Sequence, residues 1–266
     1  MLALLGFIVG AVLGSFIKTL TDRILRQDSL GGRSRCPHCS HPLAALDLIP
    51  LLSFIFLQGR CRHCHKNIGL EYLLVEVVMG VLIAYLFIQY VPQTMDLSTA
   101  GGGWISSFQL LFKIFLISVL VALALADLKK MLIPDRIVLP AILISTVYLL
   151  ILAGSIDIQL LIPNFLSAFV IWLFFMAIIL VTGGKGMGGG DAKLGVLIGL
   201  SVGFPLSLLS IMLSFFLGAG VALILVALRK RRFGQTLPFG PFMVSSTIIS
   251  LFWGYSIIDW YLKLSF

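Results

Sequence analysis

The sequence predicts an all-α polytopic membrane protein of about eight transmembrane helices, with a small zinc-knuckle cytoplasmic domain between helices 1 and 2. Three observations predict it. First, 59% of the 266 residues are hydrophobic and only 11% are charged, against about 25% charged in ordinary soluble domains. Second, the apolar residues gather in runs near the ~20 needed to cross a bilayer, where helices satisfy their own backbone polar groups. Third, all four cysteines fall in one polar stretch between the first two runs.

The runs are 2–21, 72–91, 108–126, 136–154, 161–182, 191–204, 206–228 and 237–258. The first has no basic region ahead of it and no small-residue cleavage site behind it, so it reads as a retained helix. The sixth is short and runs into Pro205. The segments are apolar all round, so the helical period adds little. The expected organisation is a first helix over 1–21, a cytoplasmic zinc-binding domain over 22–71 and a transmembrane catalytic domain over 72–266.

The chain carries 19 Lys+Arg against 11 Asp+Glu, a net charge of +8. Such an excess first points to nucleic acid or anionic lipid, and its distribution argues against nucleic acid. With the N-terminus outside, the inner side receives Arg23, Arg26, Arg33, Arg35, Arg60, Arg62 and Lys66 in the first loop. Lys129, Lys130 and Arg136, then Lys185 and Lys193, then Arg229 to Arg232 fall in the later inner turns, and Lys18 sits near the inner end of helix 1. Only Lys113 and Lys263 remain for the outer side. This positive-inside bias fixes both termini outside, and the basic residues meet lipid phosphates.

Cys36-Pro37-His38-Cys39 and Cys61-Arg62-His63-Cys64 form two Cys-x2-Cys knuckles. Paired knuckles can give four thiolates to a tetrahedral zinc. All four histidines (His38, His41, His63, His65) lie in the same loop and could substitute. Disulfides are the competing reading, but a cytoplasmic loop is kept reduced. Four protein ligands leave no open position, so the expected zinc is structural. It staples a loop too short to hold itself together.

Carboxylates at the ends of apolar helices are costly and are functional candidates. Asp127 follows the run ending at Ala126, Asp135 follows Ile133-Pro134, and Asp191 follows Gly188-Gly189-Gly190. The topology puts all three near the inner face. Two carboxylates from separate helices can share a proton, leaving an acid beside a base able to activate water. Glycines beside them let backbone approach backbone around a wet cavity. Asp191 and Asp135 fit plain helix caps equally well. Asp96, Asp157 and Asp259 fall on the outer side. No Gly-x-Ser-x-Gly elbow, His-Glu-x-x-His or phosphate loop competes.

These residues resemble the type IV prepilin peptidases, relatives of the presenilin-like Gly-x-Gly-Asp proteases. The likeness runs in order along nearly the whole chain. It includes Gly14-Ser15-Phe16, Ser34 to Cys39, Leu48 to Phe54, Gly59 to Cys64 and Tyr72 to Glu76. It continues through Asp127 to Asp135, Gly186 to Leu194 and Leu237-Pro238-Phe239-Gly240-Pro241. The resemblance implies that Asp127 and Asp191 are the catalytic pair, with Asp135 third. It implies prepilin or pseudopilin substrates, cut on the cytoplasmic side of a bacterial cell membrane between a basic leader and an apolar helix. Many family members also methylate the new N-terminus with S-adenosylmethionine, an activity the family associates with the cysteine-bearing loop. Lys18 and Leu48 stand where the family usually has Asn. The Leu48 to Phe54 stretch and the Asp259 to Lys263 tail are similar to the Gram-positive competence-system branch. Two other classes fit the bare residues: a transporter whose paired carboxylates bind cations beside a zinc-stapled loop, and a scaffold of a secretion machine with no chemistry.

Overall fold

The computed structural model describes every residue except 30, 33, 37, 40, 95–101, 156–158, 160, 185, 231–236 and 266. The basic residues Arg33, Lys185, Arg231 and Arg232, and the acidic Asp96 and Asp157, therefore lie outside the described residues. In chain order the elements are α1 (Leu2–Arg26), a 3-10 turn (Ala45–Leu48), α2 (Leu52–Phe56), α3 (Leu70–Thr94) and α4 (Gly102–Lys130). Then come α5 (Asp135–Ser155), α6 (Leu161–Thr182), α7 (Gly189–Val202), α8 (Leu206–Ala227) and α9 (Gly240–Ser265). Two isolated bridges, Arg35 with Pro42 and Arg60 with Asn67, are the only β pairings among the described residues.

Seven of these helices, α1, α3, α4, α5, α6, α8 and α9, are long and apolar enough to cross a membrane. The protein is therefore a multi-pass membrane protein. The sixth expected span corresponds to α7, which has 14 residues. It is about 21 Å long, short of a hydrocarbon core of about 30 Å. Gly203, at φ +69°, ends it, and Pro205 opens α8.

The chain divides within α4 into two compact units, Met1–Ser118 and Val119–Phe266. In the first, α1 packs along α3 through glycines one turn apart. A Cβ on Gly10 would lie 2.4 Å from the Met79 carbonyl oxygen, and Gly6 and Gly14 repeat the approach against Ala84 and Glu76. Lipid offers little hydrophobic drive between helices, so close backbone packing supplies the contact.

The second unit uses the same device between α6 and α7, where a Cβ on Gly199 would lie 2.4 Å from Ala168 Cα. Around it α7 buries one side: Leu194, Leu197 and Ile198 are each 0% exposed. In α8 and α9 the buried Ser210, Ser214 and Thr247 bond back to carbonyls of their own helices. That satisfies their hydroxyls away from water.

Replacing Gly10 with Val forces α1 away from α3, and overpacking of this kind costs about 1–3 kcal/mol. Gly220→Ala, at a position with open space around it, is expected to leave stability unchanged. Thermal unfolding of the two purified variants in detergent checks the difference.

Candidate active site and cysteine centre

Asp127 lies inside the last turn of α4, not after the helix, because α4 continues to Lys130. Met131, at φ +49°, then ends the helix, and Pro134 accepts the first amides of α5 from Ile137 and Val138. The short connector 131–134 thus reverses the chain between Asp127 and Asp135. Asp127 is 5% exposed, and its Oδ2 accepts the Gly240 N–H at 2.8 Å. Gly240 is the first residue of α9, so the carboxyl faces that helix's N-terminal amides, a favourable setting for an anion. A Cβ on Gly240 would stand 2.7 Å from Asp127 Oδ2, so only glycine fits. Phe239 holds this approach by packing its ring on Phe175 of α6 and Phe215 of α8, at centroid distances of 6.4 and 5.1 Å.

Asp191 sits in the first turn of α7 and accepts the Gly188 N–H at 3.3 Å. This is a helix-capping contact, so the plain capping reading holds for Asp191 alongside any chemistry. The glycine run before it meets the connector directly: a Cβ on Gly190 would fall 2.9 Å from Ile133 Cβ. Lys193 of α7 pairs with Asp135 of α5 at 2.6 Å. The two aspartate motifs therefore touch at two places, which brings together the elements that carry Asp127 and Asp191. The two carboxyls, one buried and one half-buried, come from separate helices. Asp135 is 57% exposed and spends its carboxylate on the lysine.

In the first unit the two knuckles fold alike. Cys36 N–H bonds to the His41 carbonyl and Cys61 N–H to that of Lys66, both at 3.0 Å. Leu43 N–H bonds to Ser34 and Ile68 N–H to Gly59, at 2.8 and 2.6 Å. The hairpins bring the sulfurs of Cys36, Cys39, Cys61 and Cys64 within 4.8 Å of one another, with Cys36 and Cys64 at 3.8 Å. Four thiolates on a tetrahedral zinc at about 2.3 Å stand about 3.8 Å apart, so the group can hold that ion. The backbone N–H groups of Cys64 and His63 point at the Cys61 sulfur and bring its thiol down to about 7. That favours the thiolate, the ligand form. The rings of His41 and His63 meet at a 42° tilt with centroids 3.6 Å apart.

Sequence reasoning missed three residues. Gly240 had a family motif around it but no stated partner. Lys18, read as a topology charge, is 1% exposed, bonded to Asp22 at 2.7 Å and Glu71 at 3.2 Å, with its ammonium 4.3 Å from the Tyr72 ring centroid. Glu76, 6% exposed, accepts the N–H of Leu51 at 2.8 Å. A carboxylate one turn from an opposite charge is readable from sequence. A contact to a backbone amide in a distant loop is not.

Comparison with known proteins matches residues 8–90 to the Bacterial Peptidase A24 N-terminal domain and residues 114–223 to the Type IV leader peptidase family. A prepilin leader peptidase/N-methyltransferase of Aeromonas hydrophila is 37% identical over 231 residues, covering 86% of this chain and 74% of its own. One from Bacillus subtilis (strain 168) is 34% identical over 268 residues, covering 97% of each. One from Pseudomonas aeruginosa is 34% identical over 233 residues, covering 86% and 74%. No solved structure matches. The chain belongs to the type IV leader peptidase family.

Proposed function

We propose that this family member is an intramembrane aspartic endopeptidase that removes the leader from prepilins or pseudopilins. Relatives named for leader removal match most of this chain. The observation that supports the assignment of residues is the contact between the two motifs that carry Asp127 and Asp191. In this reading one carboxyl is ionised and one protonated. The ionised one takes a proton from water as it attacks the scissile carbonyl, and the other protonates the leaving amine. Gly240 N–H keeps the Asp127 carboxyl in place. Asp135 and Lys193 tie the two motifs together without touching substrate.

The distribution of Lys and Arg supports placing this pair at the cytoplasmic face, with both termini outside and α7 as a short eighth membrane segment. Segment 22–71 is then the cytoplasmic zinc module and 72–266 carries the peptidase. Cys36, Cys39, Cys61 and Cys64 would hold one zinc, which would tie the two hairpins and do no chemistry.

The relatives' names also support N-methylation of the new N-terminus, with S-adenosylmethionine as methyl donor. A cavity of about 510 Å³ beside the cysteines is large enough for such a molecule. It is lined by Asp22, Glu76, Tyr72, Phe54, Arg35 and Arg60 among others. Carboxylates and a tyrosine face suit a cationic, amine-bearing ligand, and the arginines suit its carboxylate.

Two outcomes are expected. Elemental analysis of purified protein should find one zinc per chain, and Cys36→Ser with Cys39→Ser should lose it. Stoichiometric disulfides without metal would overturn the zinc assignment. In a prepilin cleavage assay followed by gel shift, Asp127→Asn and Asp191→Asn should each abolish cleavage in folded protein, and the double variant should be no worse. Asp135→Asn should keep substantial activity. Gly240→Ala, which displaces the Asp127 carboxyl, should slow cleavage roughly 10- to 100-fold. Full cleavage by either catalytic variant would end the aspartic-protease reading.

A further inference from the structure

The stretch 45–56 is apolar although it lies in the loop between two spans. Its large residues Leu46, Ile49, Leu52 and Ile55 recur at every third position, Phe56 follows directly, and the five are 66%, 39%, 52%, 64% and 81% exposed. The 3-10 turn (Ala45–Leu48) and α2 (Leu52–Phe56) thus leave all five uncovered. Their neighbours in the stretch are held in place. Phe54 turns its ring onto the second knuckle, where a Cβ on Gly59 would meet it at 2.8 Å. Asp47 pairs with Arg62 at 2.9 Å. Leu51, held at φ +62°, gives its N–H to Glu76. The five apolar residues thus stay uncovered while their neighbours fix the stretch.

The Glu76 bond also sets a depth. Glu76 lies six residues into α3, about 9 Å from its first residue. Leu51 and the helix that starts at Leu52 are therefore held beside the opening turns of a membrane span. At that level α3 shows Leu74, 63% exposed, and Val77 and Val78, 39% and 40% exposed, to lipid. Both α2 and the opening turns of α3 therefore carry large uncovered apolar side chains at this level. Arg35, Arg60 and Lys66 of the adjoining cysteine hairpins are exposed.

We propose that Leu46, Ile49, Leu52, Ile55 and Phe56 form a lipid-binding foot, lying in the headgroup and acyl boundary of the membrane that α1 and α3 cross. The occupant is phospholipid: large apolar side chains enter the acyl boundary and the hairpin cations meet anionic headgroups, as for an interfacial amphipathic helix. The foot would hold the cysteine hairpins and the adjoining cavity at the bilayer surface. It does not depend on which reaction the protein catalyses.

The test uses the full chain in liposomes of zwitterionic and anionic phospholipid. Trp104, Trp172, Trp253 and Trp260 are replaced by Phe, and Phe56→Trp adds one reporter. The reporter should be quenched by lipids brominated near the headgroup and shielded from aqueous iodide. Strong iodide quenching without lipid quenching would overturn the proposal. So would shielding from both, which would mean that protein covers the face. A face that is open to iodide until an apolar peptide is added would assign it to substrate instead. If the tryptophan-free background fails to fold, trypsin cleavage at Arg60 and Arg62 in native-tryptophan liposomes gives the answer. Ile55→Asp with Phe56→Asp should speed it several-fold and Ile55→Leu with Phe56→Leu should not. An unchanged rate in the Asp variant would equally overturn the foot.

Discussion

The contact of Gly190 with Ile133 governs the second unit. A carboxyl in an apolar bundle is costly, and two are tolerable only if each finds hydrogen-bond donors and at least one keeps a proton. The first turn of α7 can reach the connector after α4 only where no side chain intervenes. Once it does, Asp127 and Asp191 lie on neighbouring elements, and each takes an N–H from a glycine at a helix start, Gly240 or Gly188. Most of what surrounds them serves this approach. Phe239 is wedged between two rings so that Gly240 arrives at Asp127, and the buried face of α7 anchors the turn that carries Asp191.

The spans were legible because lipid imposes a length and an apolar composition that a sequence cannot hide. Segment 161–182 has the bounds expected of it. The helix ends were less legible, because backbone hydrogen bonds continue where apolarity stops. Thus α1 runs to Arg26 and α4 to Lys130, which moves Asp127 from a turn into a helix. The four cysteines were legible as a group because ligand spacing is local, and the repeated hairpin explains that spacing: the same turn presents both sulfurs of each knuckle. The partner of Asp127 was not legible. Gly240 is 113 residues away in sequence, and glycine carries no chemical signature of the carboxylate it will face.

Lys18 illustrates a different limit. As a basic residue at a helix end it counts toward topology, and it does lie in the last turns of α1. Yet its ammonium is enclosed by Asp22, Glu71 and the Tyr72 ring. An enclosed lysine is costly unless its charge is answered, and here α1 and α3 each supply an answer. The residue ties α1 to α3 at the level where their glycine-lined contact ends, and does so beside a cavity that Asp22 and Tyr72 also line.

The division of the chain has a chemical consequence. The cysteines and the cavity belong wholly to Met1–Ser118, and Asp127, Asp191 and Gly240 wholly to Val119–Phe266. The family matches part at nearly the same place, with one ending at 90 and the next beginning at 114. In the proposed reading, peptide hydrolysis and methyl transfer draw on disjoint sets of side chains, each stabilised by its own local device. One is metal-stapled hairpins beneath a glycine-packed helix pair; the other is a glycine-mediated contact of two helix turns. The link between the activities is then the substrate itself, whose new N-terminus exists only after cleavage. The cysteine module, for its part, is tied to α3 through Glu76 by its own fold.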